Sequence, residues 1–188
     1  MKPDGPVFDT AWRARCRVVP YDRELIEGMI RTHYLHKWPG VVVLRLVMFC
    51  DNDPVGCIVY ALPPRETAKR YGGVTWELAR LWVADRIPRN VETWLIAQSV
   101  GYIKTYFPDV RSLVSYADPS AGHAGTIYKA ANWRDDGRTD QERKTPRFDY
   151  VHPVTGKRYS RRSHVPPDVA PVRVPRVSKH RFVLGLQP

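Results

Sequence analysis

Apolar and polar positions change period several times along the first two-thirds of the chain. Residues 14–19 have β-type composition; Asp22 then precedes Leu25, Ile26, Met29 and Ile30, which recur at helical spacing. This predicts a short strand followed by a helix from 23 to about 34, with Asp22 accepting from its first N–H groups. Trp38-Pro39-Gly40 ends that helix. Two apolar runs, 41–50 and 55–62, flank Asp51-Asn52-Asp53-Pro54 and read as a β-hairpin. Residues 65–73 read as turn-prone, and the β-branched, alternating run 74–83 as a further strand. Asn90 is positioned to cap a helix carrying Val91, Trp94, Leu95, Val100 and Ile103 to Tyr106, before Pro108. Residues 112–116 predict another strand and 122–132 a short helix. The expected order is β-α-β-β-β-α-β-α, with one or two strands after Trp133.

Composition adds a division. The chain has 188 residues, 43% of them hydrophobic, enough for one domain with a sizeable core. The net charge is +11, and residues 141–188 hold eleven Lys and Arg against Glu142, Asp149 and Asp168, a net +8 that leaves +3 for residues 1–140. That tail also carries seven prolines and isolated aromatics. A domain over 1–140 and a basic, Pro-rich extension over 141–188 are therefore expected, with a small hairpin from 148–150 and 158–160 and an extended segment from Pro166. A polyanionic partner fits the charge. No apolar run approaches the roughly 20 residues needed to span a bilayer, and residues 1–10 lack the apolar stretch of a signal peptide, so the cytoplasm is the expected location. Cys16, Cys50 and Cys57 show no CxxC pair, and buried free thiols are expected.

Several side chains stand out for chemistry. Asp118 follows a predicted strand and precedes Pro119-Ser120-Ala121-Gly122. A carboxylate at the carboxyl end of a strand can orient or deprotonate an amine or bind a metal, although an Asx turn or helix cap accounts for the same residues. Glu77 and Arg80 interrupt an apolar run; three apart, they point to opposite strand faces unless a bulge intervenes. Arg80 is the stronger candidate, as a substrate or phosphate contact. His33 and His36 share a face near a helix end. In the tail, Arg143, Lys144, Arg147, Lys157, Arg158, Arg161 and Arg162 lie near Phe148, Tyr150 and Tyr159, a set suited to neutralising phosphates and stacking on an unstacked base.

Three stretches together resemble the Mom proteins of Mu-like bacteriophages: Thr32-His33-Tyr34-Leu35-His36, Trp76-Glu77-Leu78-Ala79-Arg80-Leu81-Trp82-Val83, and the run from Ser115-Tyr116-Ala117-Asp118-Pro119-Ser120 through Tyr128 to Trp133. The resemblance spans about residues 20–140. It implies a GNAT-like fold, a mixed and mainly antiparallel central sheet flanked by helices, here with the basic C-terminal extension. It also implies an activity: addition of a carbamoylmethyl group to the exocyclic amine of adenine in double-stranded DNA, which hides phage DNA from restriction enzymes. On this resemblance Asp118, Tyr128, Ser120 and Arg80 are the catalytic candidates, with Tyr128 placed to protonate a leaving group. The resemblance raises iron as a cofactor, with His33, Tyr34 and Asp118 as ligands.

The chain departs from acyl-CoA-dependent GNAT enzymes, whose glycine-bearing loop cradles a pyrophosphate on backbone N–H groups. The corresponding run, Ala84-Asp85-Arg86-Ile87-Pro88-Arg89-Asn90-Val91-Glu92, has no glycine and includes a proline, which puts acyl-CoA in doubt; Arg86 and Arg89 remain as phosphate contacts. Two other functions fit the sequence: a GNAT acyltransferase acting on a small molecule or protein, revealed by saturable acyl-CoA binding, and a non-catalytic DNA-binding protein, excluded by modified nucleosides.

Overall fold

The computed structural model describes residues 11–33, 35, 37–87, 90–159 and 170–186. After a 3-10 turn (Ala11–Arg15) come β1 (Cys16–Pro20), α1 (Arg23–Arg31), β2 (Val42–Cys50), β3 (Asp53–Ala61), α2 (Arg65–Tyr71), β4 (Val74–Val83), α3 (Val91–Tyr106) and β5 (Val110–Ala117). A second 3-10 turn (Pro119–Ala121) leads to α4 (Thr126–Ala130), β6 (Arg134–Arg138), β7 (Phe148–Val151), β8 (Arg158–Tyr159), β9 (Val172–Pro175) and β10 (His180–Gly185). Seven strands form a sheet in the order β1-β2-β3-β4-β5-β10-β6, and three form a second in the order β8-β7-β9. Strands β1 to β4 pair antiparallel, whereas β4 and β5 run parallel. This is the mixed, mainly antiparallel α/β architecture expected. Its contacts group into two units, one of Met1–Ser115, Thr126–Arg134 and Val183–Pro188, the other of Tyr116–Gly125 and Asp135–Phe182.

In the first unit, Asp22 caps α1 by accepting from the Leu25 N–H at 3.3 Å. Ile26, Met29 and Ile30 pack on Val47, Phe49, Cys57 and Val59, with Trp38 and Trp82 alongside. Burial of each such side chain contributes about 1.5–3 kcal/mol, so this face fixes α1 on the sheet. The helix stops at Arg31, short of the expected 34, where Thr32 donates its hydroxyl to the Met29 carbonyl and the His33 N–H reaches the Ile30 carbonyl. The β2–β3 hairpin turns on Asp51 and Asn52, with φ of 50° and 68°; two positive φ values give the twist that a two-residue loop needs. Asp53 and Pro54 thus begin β3 instead of belonging to the turn.

Three local expectations are corrected. The turn-prone run after Pro64 contains α2, a helix with no buried residue and hence no apolar pattern to betray it. Asn90 does precede α3, but it is left-handed at φ 68° and its side chain caps nothing. Cys16 and Cys50 form a disulfide instead of remaining free thiols, because the antiparallel β1–β2 register places them directly opposite each other. Cys57 alone matches that expectation: it is free and buried, and burial pushes its thiol up to about 12 despite a hydrogen bond from the Trp82 backbone. Such a thiol is inert at neutral pH. Among the described residues, no helix is long and apolar enough to cross a membrane.

Candidate functional site

The β4–β5 ladder runs from Val74 and Val110 to its last pair, Glu77 and Val114. At the next residues a side chain takes over: the Ser115 hydroxyl lies 2.8 Å from the Leu78 carbonyl as donor. It also lies 2.8 Å from the Tyr128 hydroxyl, to which it donates. Tyr128 is delivered by α4, only 8% exposed, with its ring 5.4 Å from that of Trp133. A second buried pair lies in the same unit. The Tyr60 hydroxyl is 2.7 Å from Ser99 Oγ, and Ser99 donates to the Ile96 carbonyl one helical turn back. Burial pushes the Tyr60 phenol well above its ordinary range; Ser99 opposes this and the nearby Tyr128 adds to it, so Tyr60 stays protonated.

Arg80 owes its position to a bulge. Val59 pairs with Arg80 but Tyr60 with Leu78, leaving Ala79 as an extra residue in β4. Glu77 and Arg80 therefore share the face that carries Val59, as the sequence allowed only with a bulge. The Arg80 guanidinium donates to the Lys37 carbonyl from Nε at 2.9 Å and to the Ala79 carbonyl at 2.6 Å. It ties the segment after α1 to β4.

In the second unit, Asp118 stands at the carboxyl end of β5, as expected, and the Asx turn is present too: the Ser120 N–H reaches Asp118 Oδ1 at 3.0 Å. The Ser120 hydroxyl donates to the same oxygen at 2.6 Å, and Lys179 Nζ lies 3.0 Å from Oδ2. Burial by itself would raise this carboxyl, but the hydrogen bonds from Ser120 and Lys179 and the lysine charge outweigh it, and Asp118 sits below its ordinary value. A carboxylate so held is a weak base and a strong acceptor. Sequence reasoning missed Lys179 and Ser115.

Among the described residues, no group of three or more His, Cys, Asp or Glu is placed to hold a metal. His33 Nδ1 accepts from the Leu35 N–H at 3.1 Å, and Asp118 is paired with Lys179. Tyr34 and His36 lie outside the described residues. In the turn before α3, the Ala84 N–H goes to the Val55 carbonyl, the Ile87 N–H to the Ala84 carbonyl, and Arg86 pairs with Asp53 at 2.6 Å. Pro88 and Arg89 lie outside the described residues.

The expected tail hairpin is present, with Tyr150 opposite Tyr159, and β9 pairs on the other side of β7 with Arg173 opposite Tyr150. Phe148, Tyr150, Tyr159 and Arg173 thus share one face, where Arg173 lies over the Phe148 ring at 3.4 Å and Lys157 over Tyr159 at 5.3 Å. The basic residues divide. Arg147 pairs with Asp140 at 2.9 Å and Arg176 with Asp149, whereas Arg143, Lys144, Lys157 and Arg158 are exposed and pair with no carboxylate among the described residues. Arg161 and Arg162 lie outside the described residues.

A sheet whose fourth and fifth strands run parallel and then part, with helices packed on it, is the GNAT acetyltransferase fold. NAA60 of Arabidopsis thaliana, solved with acetyl-CoA, superposes with a TM-score of 0.58 at 12% identity, covering 90% of this chain and 99% of its own. Spermidine N-acetyltransferase from Vibrio cholerae, solved with CoA and spermine, gives 0.55 at 10% identity, covering 92% and 96%. At such identities the likeness concerns the fold. The family is narrower: the chain matches the Mom protein family over residues 17–188, and it belongs to that family. It is 33% identical to the methylcarbamoylase mom of Escherichia phage Mu over 58% of this chain and 48% of the phage protein, so it aligns with about half the length of that relative. An O-acetyltransferase, ptmV, of Penicillium ochrochloron is 34% identical over 60% of this chain and 18% of its own length.

Proposed function

We propose that this protein is a DNA-modifying transferase that places a carbamoylmethyl group on the exocyclic amine of adenine in double-stranded DNA, protecting that DNA from restriction. The observation that carries the reading is the family match across residues 17–188, which includes every described catalytic candidate. In the reaction a C–N bond forms at the adenine nitrogen, the donor's bond to its leaving group breaks, the leaving group gains a proton, and the proton lost by the amine passes to solvent, which re-protonates the donor of the first. Tyr128 supplies the leaving group's proton from a buried phenol. Asp118, kept ionised by Ser120 and Lys179, orients an amine by accepting from it. Arg80 holds the chain around Lys37 and is the candidate contact for substrate phosphate.

Arg143, Lys144, Lys157 and Arg158 favour a polyanion by releasing its counterions, and the half-buried Phe148 and Tyr150 of the three-stranded sheet are the candidate stacking surface. The target amine is paired in duplex DNA, so the adenine leaves the stack before reacting. Mass spectrometry of nucleosides from DNA of cells making the protein tests the whole reading. A new mass on deoxyadenosine is expected, lost with Tyr128→Phe and with Asp118→Ala. Unmodified deoxyadenosine in the presence of abundant folded protein overturns it, and saturable binding of an acyl-CoA would then favour an acyltransferase acting on another substrate.

A further inference from the structure

Ser115 has one hydroxyl hydrogen and two acceptors, the Leu78 carbonyl and the Tyr128 phenol oxygen, each at 2.8 Å. The residue is 1% exposed, so no solvent supplies a second donor, and a buried hydroxyl in this position shares its hydrogen or alternates between the two oxygens. Both acceptors are fixed. Leu78 lies immediately beyond the last β4–β5 ladder pair, and Tyr128 is held by α4 against Trp133. While Ser115 donates to the phenol oxygen, the phenol's own O–H is directed away from Ser115.

We propose that Ser115 is a positioning residue for Tyr128, a donor that turns the phenol's proton outward and then carries the charge left behind. This rests on the role given to Tyr128 above. When the Tyr128 O–H bond breaks and its proton passes to a leaving group, the electron pair stays on the phenol oxygen. That oxygen is then a far better acceptor than a peptide carbonyl, so the Ser115 hydrogen passes wholly to it and the Leu78 carbonyl gives up its share. The Ser115 O–H bond never breaks. Tyr60 does not compete for this role, because its phenol is fully buried against Ser99.

The test uses the full chain with a difluorinated tyrosine at position 128, whose phenol titrates at a pH the protein tolerates, followed by fluorine NMR. Ser115→Ala should raise the titration midpoint by about one to two units, the loss of one hydrogen bond to a charged oxygen. Ser115→Thr keeps the hydroxyl and should return the midpoint to within about half a unit of the parent. With natural tyrosine, Ser115→Ala should lower the turnover of adenine modification about tenfold or more with little change in KM, and Ser115→Thr should restore it. An unchanged midpoint in a folded Ser115→Ala protein overturns the proposal whether or not DNA is the substrate. A shifted midpoint in a chain that leaves deoxyadenosine unmodified supports the Ser115–Tyr128 coupling and overturns only the choice of substrate.

Discussion

Lys179 Nζ lies 3.0 Å from Asp118 Oδ2, while Ser120 holds the other carboxylate oxygen with both its hydroxyl and its N–H. Asp118 is thereby lowered relative to the unfolded chain, and the sign of its linkage follows. The contribution to stability is present above the unfolded carboxyl range, near pH 4, and is lost as pH falls through the folded value. Lys179→Met should cost about 1 kcal/mol at neutral pH, given the partial exposure of the lysine, and should flatten the fall of stability on acidification. Urea unfolding of parent and variant between pH 3 and pH 7, as an order-of-magnitude window, reads both effects. Parallel curves would remove the pair from the account.

Tyr128→Phe removes one acceptor of a serine that keeps another in Leu78, so folding should change by about 1 kcal/mol or less. Adenine modification should fall by about 10²-fold or more if the phenol is a proton donor. Unfolding curves and nucleoside mass spectrometry on the same preparation separate the two. Full product from the variant would strip Tyr128 of its role.

Gly122 and Gly125 have nearly equal φ, 76° and 77°, but different surroundings. A Cβ on Gly122 meets nothing within 4 Å, whereas one on Gly125 runs into the buried Phe182 ring. Gly122→Ala should cost about 1–2 kcal/mol, the left-handed penalty alone. Gly125→Ala adds a clash with the ring and should cost about 1–3 kcal/mol more. Denaturation midpoints in which the two variants coincide would contradict the close approach.

The basic side chains should sort by their pairing. Replacing Arg143, Lys144, Lys157 and Arg158 by Ala should weaken DNA binding for all sequences alike and reduce the slope of log K against log salt by about 0.9 for each phosphate no longer neutralised. Arg176→Ala, which strands Asp149, should lower stability and leave that slope unchanged. A salt titration of binding by each protein decides the matter. A slope indifferent to the four substitutions would make them a solvated surface.

Much of the fold was legible in the chain. Leu25, Ile26, Met29 and Ile30 announced α1, and Asp51-Asn52 announced a hairpin, because both signals are local. Helix α2 was not legible, since none of its residues is buried. Lys179 reaches Asp118, and Cys50 reaches Cys16, only through pairings that the sequence does not encode locally. Ser115 carried a signal that went unused. It alternates with Leu113 and Ala117, both buried, and a hydroxyl on an inward position of a strand requires a partner.

The extra residue Ala79 makes β4 a strand read in two phases. Up to Leu78 the side chains alternate in one parity and from Arg80 onward in the other, so no single pattern of odd and even positions describes the whole strand. A homologue that lacked one residue at this point would present the neighbour of its arginine to the segment that Arg80 now ties. Alignments across β4 therefore have to be matched in parity as well as in letters: a gap of one position, scored as trivial, exchanges which side chains face α1 and which face Tyr60.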